Sequence, residues 1–192
     1  MGGDLSADEQ KRLTALIVRE SERVDRLVAQ LLRFAKPTAV ERVPLDVSTL
    51  LHDCAEALRS RTDFQNAKID LRLNIAGGLT AKGNYDEIKE VFNNLMVNAV
   101  QAVADDRISE RHRLSVTGQM ADGGCECMIE DNGPGISSDN RGRVFDPFFT
   151  TKSEGTGLGL AQVYKIVKDH GGEVELDSGE GRGTRVTVRL FS

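Results

Sequence analysis

Three clusters in this sequence carry residue types that could do chemistry. Asn94 and Asn98 fall one turn apart on a line beside the apolar stripe Ile88, Phe92, Leu95 and Ala99. Asparagine is a poor helix former, so two on one line need a reason. Exposure or loop capping is one; presenting an amide oxygen to a hard cation is the other. Mg²⁺ takes oxygen ligands and keeps waters and substrate phosphates in its shell. The second cluster, Asp131-Asn132-Gly133-Pro134-Gly135-Ile136, directly follows an alternating stretch. Asn-Gly marks a turn, but a turn requires neither two spaced glycines nor an acid at a strand end. Glycines there let backbone approach a flat ligand, and a fixed carboxylate can accept from an exocyclic amine. The third, Gly155-Thr156-Gly157-Leu158-Gly159-Leu160, runs into the apolar-periodic Val163, Ile166 and Val167. It is no P-loop, because no Gly-Lys-Ser/Thr closes it. Its third glycine is misplaced for a dinucleotide fingerprint, and Thr150–Ser153 is no strand. A plain mobile linker remains open beside a glycine loop feeding a helix N-terminus, whose amides and dipole suit phosphate.

These residues need elements to hold them. A helix over about Tyr85–Ala104 carries the asparagines. Ser48 is expected to cap a helix reaching about Leu58, after a short linker around Pro44. Ile69, Leu71, Leu73 and Ile75 alternate with polar residues, as do Cys125, Cys127 and Ile129, and Val186, Val188 and Leu190. Such alternation means one buried and one wetted sheet face. The fold class is therefore α+β, a two-layer sandwich of mixed, mostly antiparallel sheet with helices on one face. One long amphipathic helix precedes it. Ser6 to Glu9 fits a capping box, Pro37 stops the helix, and Leu13, Ile17, Glu20, Val24, Leu27, Leu31 and Phe34 form an a/d stripe. Leu16, Val28 and Leu32 widen it to the width of a helix-bundle face. Self-association through residues 6–36, or docking on a partner helix, is the leading reading; packing on the rest of the chain is the alternative.

The 192 residues suffice for one ordinary domain plus an appendage, and a net charge of −5 argues against nucleic-acid binding through a basic surface. No apolar run approaches membrane-span length, and Met1-Gly2-Gly3-Asp4 does not resemble a signal peptide. The three cysteines, Cys54, Cys125 and Cys127, lack zinc-finger spacing and read as reduced thiols in the cytoplasm.

Taken in order, the clusters resemble the ATP-binding domain of sensor histidine kinases. Asn94-Leu95-Met96-Val97-Asn98-Ala99 resembles the N box and Asp131–Ile136 the first glycine box. Phe145-Asp146-Pro147-Phe148-Phe149-Thr150-Thr151-Lys152 resembles the F box, and Gly155–Leu160 the second glycine box. The resemblance runs from about Val43 to Ser192. Leu31-Leu32-Arg33-Phe34-Ala35-Lys36-Pro37 is similar to the end of the second dimerisation helix, particularly in the nitrogen-regulation type. Residues 1–37 are thus expected to be that helix alone, and 38–192 the catalytic ATP-binding domain.

The resemblance implies ATP and Mg²⁺ as cofactors, with ADP as product. Asp131 would accept from the adenine amine and so reject guanine, while Gly133, Gly135, Ile136 and Phe145 would shape the nucleotide site. Asn98 would hold Mg²⁺, with Asn94 beside it. Lys152, Thr156 and the backbone of Gly157, Leu158, Gly159 and Leu160 would address the phosphates, and Lys152–Thr156 would act as a lid. Asn94, Asn98 and Lys152 would be the catalytic set. Superfamily ATPases (gyrase, mismatch-repair and heat-shock types) carry a glutamate base where this chain has Asn94, which cannot take a proton from water. Kinase is favoured; Glu87 and Glu90 lie further back. The expected partners are a dimerisation hairpin bearing a phosphoacceptor histidine, and a response regulator. That acceptor helix does not precede Ser6. His52-Asp53 does not continue the acceptor motif, and His112 and His170 read as structural or exposed. An anti-sigma-type serine kinase and a non-enzymatic, ATP-gated binding module are the alternative readings. The expected location is cytoplasmic, whether or not a parent protein is membrane-anchored.

Overall fold

A computed structural model describes residues 6–35, 42–104, 111–152 and 155–192. The chain divides into two units, Met1–Pro37 and Thr38–Ser192. The first is a 29-residue helix, α1 (Ala7–Ala35). Its start is a capping box: the Glu9 N–H donates to Ser6 Oγ at 3.3 Å, and Glu9 Oε2 accepts from the Ser6 N–H at 2.8 Å. Leu13, Leu16, Ile17, Val24, Val28, Leu31 and Leu32 of the stripe are exposed. The side chains of Leu27 and Phe34, and the stop at Pro37, lie outside the described residues.

The second unit runs β1 (Val43–Asp46), α2 (Val47–Arg59), α3 (Thr62–Asn66), β2 (Asp70–Ile75), β3 (Thr80–Gly83), α4 (Tyr85–Ala104), β4 (Arg113–Ala121), β5 (Gly124–Asp131), α5 (Ser138–Arg141), α6 (Gly159–Asp169), β6 (Glu173–Gly179) and β7 (Gly183–Phe191). The main sheet has the order β2-β4-β5-β7-β6; β2 lies parallel to β4 and every other pair is antiparallel. One face is apolar, with Val116, Cys127, Ile129 and Val188 buried against α2, α4 and α6. The other face is wetted and charged: Arg189 pairs with Glu126 at 2.8 Å and Arg185 with Glu130 at 2.9 Å. The expected two-layer α+β sandwich is what forms.

Two local expectations are corrected. Pro44 is not in a linker but in β1, which pairs antiparallel with β3; an edge strand tolerates proline. The α2 cap is Asp46, whose Oδ1 accepts from the Thr49 N–H at 2.9 Å. Ser48 instead ties α2 to the β2–β3 turn, donating to the Ala76 carbonyl at 2.8 Å and accepting from the Leu79 N–H at 3.0 Å.

Candidate functional site

Asp131 owes its position to strand alternation. On β5, Cys125, Cys127 and Ile129 face inward, and Asp131 is the next residue of that inward series. A carboxyl group therefore ends an apolar row, 7% exposed. Burial pushes it up to about 6, against the Gly133 and Thr184 N–H groups and the Lys152 charge, which pull the other way. Its Oδ1 accepts from the Gly133 N–H at 2.9 Å. A Cβ at Gly133 would stand 3.2 Å from the Ala102 carbonyl carbon, so the glycine turn rests on the last turn of α4. Gly135, at φ +74°, lies with its α-carbon against the Gly179 carbonyl, where no side chain fits. The β6–β7 turn straps this loop down. Gly181 N–H donates to Pro134 O at 2.7 Å, and Ile136 N–H donates to Ser178 Oγ at 2.9 Å.

Asn94 and Asn98 are half-buried beside the stripe of α4, whose Ile88, Phe92, Leu95 and Ala99 are buried. The first residue of α6 meets Asn98: a Cβ on Gly159 would lie 3.8 Å from Asn98 Nδ2. Among the described residues, no side chain caps this end of α6. Leu158 is buried and Leu160 packs on the core, so these two can offer a ligand only backbone. Further along α4, Glu90 Oε1 accepts from Gln162 Nε2 at 2.9 Å, and Glu87 lies 3.7 Å from His170. Glu87 and Glu90 are thus both drawn toward α6.

The F-box segment leads into the loop before α6. The Phe145 ring lies 5.5 Å from that of Tyr164, and the Arg143 guanidinium stands 4.7 Å over Phe149. Phe148 is 63% exposed and takes φ 67°, uncommon for a bulky residue. Its N–H donates to Gly157 O at 2.9 Å, and Gly157 itself takes φ +68°. Lys152 Nζ donates to Gln101 Oε1 at 2.8 Å, which ties the segment back to α4. Thr156 is half-buried; residues 153 and 154 of the expected lid lie outside the described residues.

The structure therefore brings Asn98 to Gly159, Asp131 to Gly133, and the first glycine turn to α4. Gly135 meets the β6–β7 turn, and Ile136 is held there through its backbone. The sequence reading passed over Gln101, Gln162 and Ser178. Their isolated polar side chains carry no periodic or motif signal; only tertiary packing pairs them. Two of the three histidines are placed as well. His170 is 4% exposed; Nδ1–H donates to Ile166 O and Nε2 accepts from the Asn84 N–H, which fixes one neutral tautomer. His52 is exposed on α2.

Residues 83–192 match the family model described as histidine kinase-, DNA gyrase B- and HSP90-like ATPase. The chain is 34% identical over 183 residues to the sensor histidine kinase ZraS of Escherichia coli K12, covering 95% of this chain and 38% of that protein. It is 36% identical over 196 residues to the sensory histidine kinase/phosphatase NtrB of Rhizobium leguminosarum bv. phaseoli, covering 96% of this chain and 50% of that one. It thus spans half or less of these relatives. Among solved structures, full-length ShkA in complex with AMPPNP superposes with a TM-score of 0.76 at 26% identity, covering 99% of this chain and 41% of that one. The catalytic domain of histidine kinase ThkA does so with a TM-score of 0.68 at 25% identity, covering 79% and 95%. No described helix is long and apolar enough to cross a membrane. With its four boxes arranged around α4 and more than half its length under the family model, the chain belongs to the histidine kinase-, DNA gyrase B- and HSP90-like ATPase family, as a catalytic ATP-binding domain of the sensor histidine kinase kind.

Proposed function

We propose that the 38–192 unit binds Mg-ATP and transfers its γ-phosphoryl group to a histidine on a dimeric helical hairpin. Residues 1–37 would be the second helix of such a hairpin, pairing with another copy through the stripe on α1. The observation that carries the reading is the placement of Asp131: a buried carboxylate at the head of a glycine turn that rests on the same helix as Asn98. The carboxylate would accept from the adenine amine, while Gly133, Gly135, Ile136 and Phe145 line or support that end. Guanine would set a carbonyl against the carboxylate with no proton between them.

The residues fit a nucleotide with its metal. Asn98 offers a half-buried amide oxygen beside the uncapped start of α6, where Gly157–Leu160 backbone amides can address phosphate. Mg²⁺, when bound, supplies neutralisation of phosphate charge. Asn94 and Lys152 would complete the phosphate end. Transfer breaks the bond from the γ-phosphorus to the β–γ bridging oxygen and forms a phosphorus–nitrogen bond to the imidazole, with ADP leaving. Such chemistry is chiefly positioning and charge stabilisation, so the domain needs no nucleophile of its own. Hydrolysis is disfavoured because Asn94 cannot act as a base, and Glu90 and Glu87 are drawn toward Gln162 and His170. A response regulator would receive the phosphoryl group next, and ATP as substrate assigns this work to the cytoplasm.

The test is phosphotransfer from radiolabelled Mg-ATP to a purified acceptor hairpin in trans. Acid-labile, alkali-stable label on the hairpin is expected. Acid-stable label on serine would favour the anti-sigma-type reading. Tight ATP binding without any transfer would favour an ATP-gated binding module.

A further inference from the structure

Gln101 is absent from the four boxes, yet it lies where they converge. It follows Asn98 by three positions on α4, hence on nearly the same face, and precedes Ala102, whose backbone supports Gly133. Its side-chain oxygen receives the Lys152 ammonium at 2.8 Å, and the charge of Lys152 reaches Asp131. One amide thus holds a cation between the helix line of Asn94 and Asn98 and the turn that carries Asp131. If adenine lies at Asp131 and the metal at Asn98, the phosphates must run through this interval.

We propose that Gln101 is a positioning residue for phosphate recognition: its amide oxygen sets the Lys152 ammonium in the path of the nucleotide phosphates. This rests on the Mg-ATP reading above. The chemistry suits an amide better than an acid. A neutral acceptor orients the ammonium without adding a negative charge that would oppose phosphate, and a charge-assisted hydrogen bond gives it direction. Gln101 itself touches no substrate in this account and acts through Lys152.

The experiment is a double-mutant cycle on the full chain with Gln101→Met, Lys152→Met and both. Methionine keeps the length of glutamine and its helix preference while removing the acceptor. Binding of Mg-ATP is measured by calorimetry at two ionic strengths, and binding of adenosine by ligand-observed NMR. Gln101→Met should weaken Mg-ATP by about three- to tenfold, the net scale of one hydrogen bond. It should flatten the salt dependence, leave adenosine unchanged, and have no further effect once Lys152 is methionine. Unaltered adenosine binding also certifies that the variant is folded. Unchanged Mg-ATP affinity in Gln101→Met, or an equal loss in the Lys152→Met background, would overturn the inference while leaving the nucleotide reading intact. Failure of the unsubstituted chain to bind Mg-ATP would instead sink that reading and this inference with it.

Discussion

The Asp131 turn and the Gly155–Leu160 loop both rely on glycine, for opposite purposes. At the first, Gly135 and Gly183 at positive φ let backbone meet backbone, and hydrogen bonds from Gly181 and Ile136 fasten the turn to β6–β7. At the second, Gly157 at φ +68° lies against Phe148, itself left-handed and largely exposed. A bulky residue in that region stores roughly 1–3 kcal/mol. One end is fixed by packing, as suits a rigid planar group. The other holds strain at an exposed residue, as would suit a segment that admits and releases the charged end of the proposed nucleotide.

That contrast can be broken most severely at Asp131. Asp131→Asn keeps the shape but replaces the anionic acceptor proposed for the adenine amine; Mg-ATP affinity by calorimetry should fall by about 100-fold, with circular dichroism unchanged. Asn98→Ala should remove about tenfold, and only from the Mg²⁺-dependent part of the affinity; an equal loss in the presence of chelator would contradict its assignment to the metal. Acidity probes the same end without mutation. With Asp131 pushed up to about 6, Mg-ATP affinity should drop about tenfold between pH 7 and pH 5, and Asp131→Asn should lack that dependence. Stability runs the other way. The native state keeps this proton to about 6 while the open chain releases it near 3.8, so ionisation removes stability as pH rises from about 4 to 6, by at most about 3 kcal/mol. The apo Asp131→Asn protein should therefore melt no lower than wild type at pH 8.

A pair of alanine substitutions sharpens the comparison with smaller effects. Gly135→Ala drives a methyl into the Gly179 carbonyl and should lower the melting temperature by several degrees, about 1–2 kcal/mol. Gly157→Ala meets the Phe148 backbone in the strained loop, and should reduce Mg-ATP affinity a few-fold with little change in apo melting. Matching melting losses in both variants would erase the proposed difference between the two ends.

Periodicity made much of this architecture legible. The span Tyr85–Ala104, the inward series through Cys125, Cys127 and Ile129, and the α1 capping box all follow from local rules. Burial of Asp131 was implicit in the same alternation, though only as the next inward place after Ile129. What stayed hidden depends on distant partners. The short strands β1 and β3 exist through pairing with each other, and β1 carries a proline that reads as linker. Ser48 looked like a cap, but tertiary contacts with Ala76 and Leu79 claim its hydroxyl and leave the cap to Asp46. Gln101 and Gln162 gain meaning only when α4 meets the F-box segment and α6.

The most direct test of the Asp131 assignment is a thermal-shift titration with Mg-ATP, Mg-ADP and Mg-GTP. A ligand at about 100 times its Kd adds about 2.7 kcal/mol to the native state, a readily measured rise in melting temperature. The account predicts that both adenine nucleotides stabilise the chain and that GTP does not. Equal stabilisation by GTP, or none by any of the three, would contradict it.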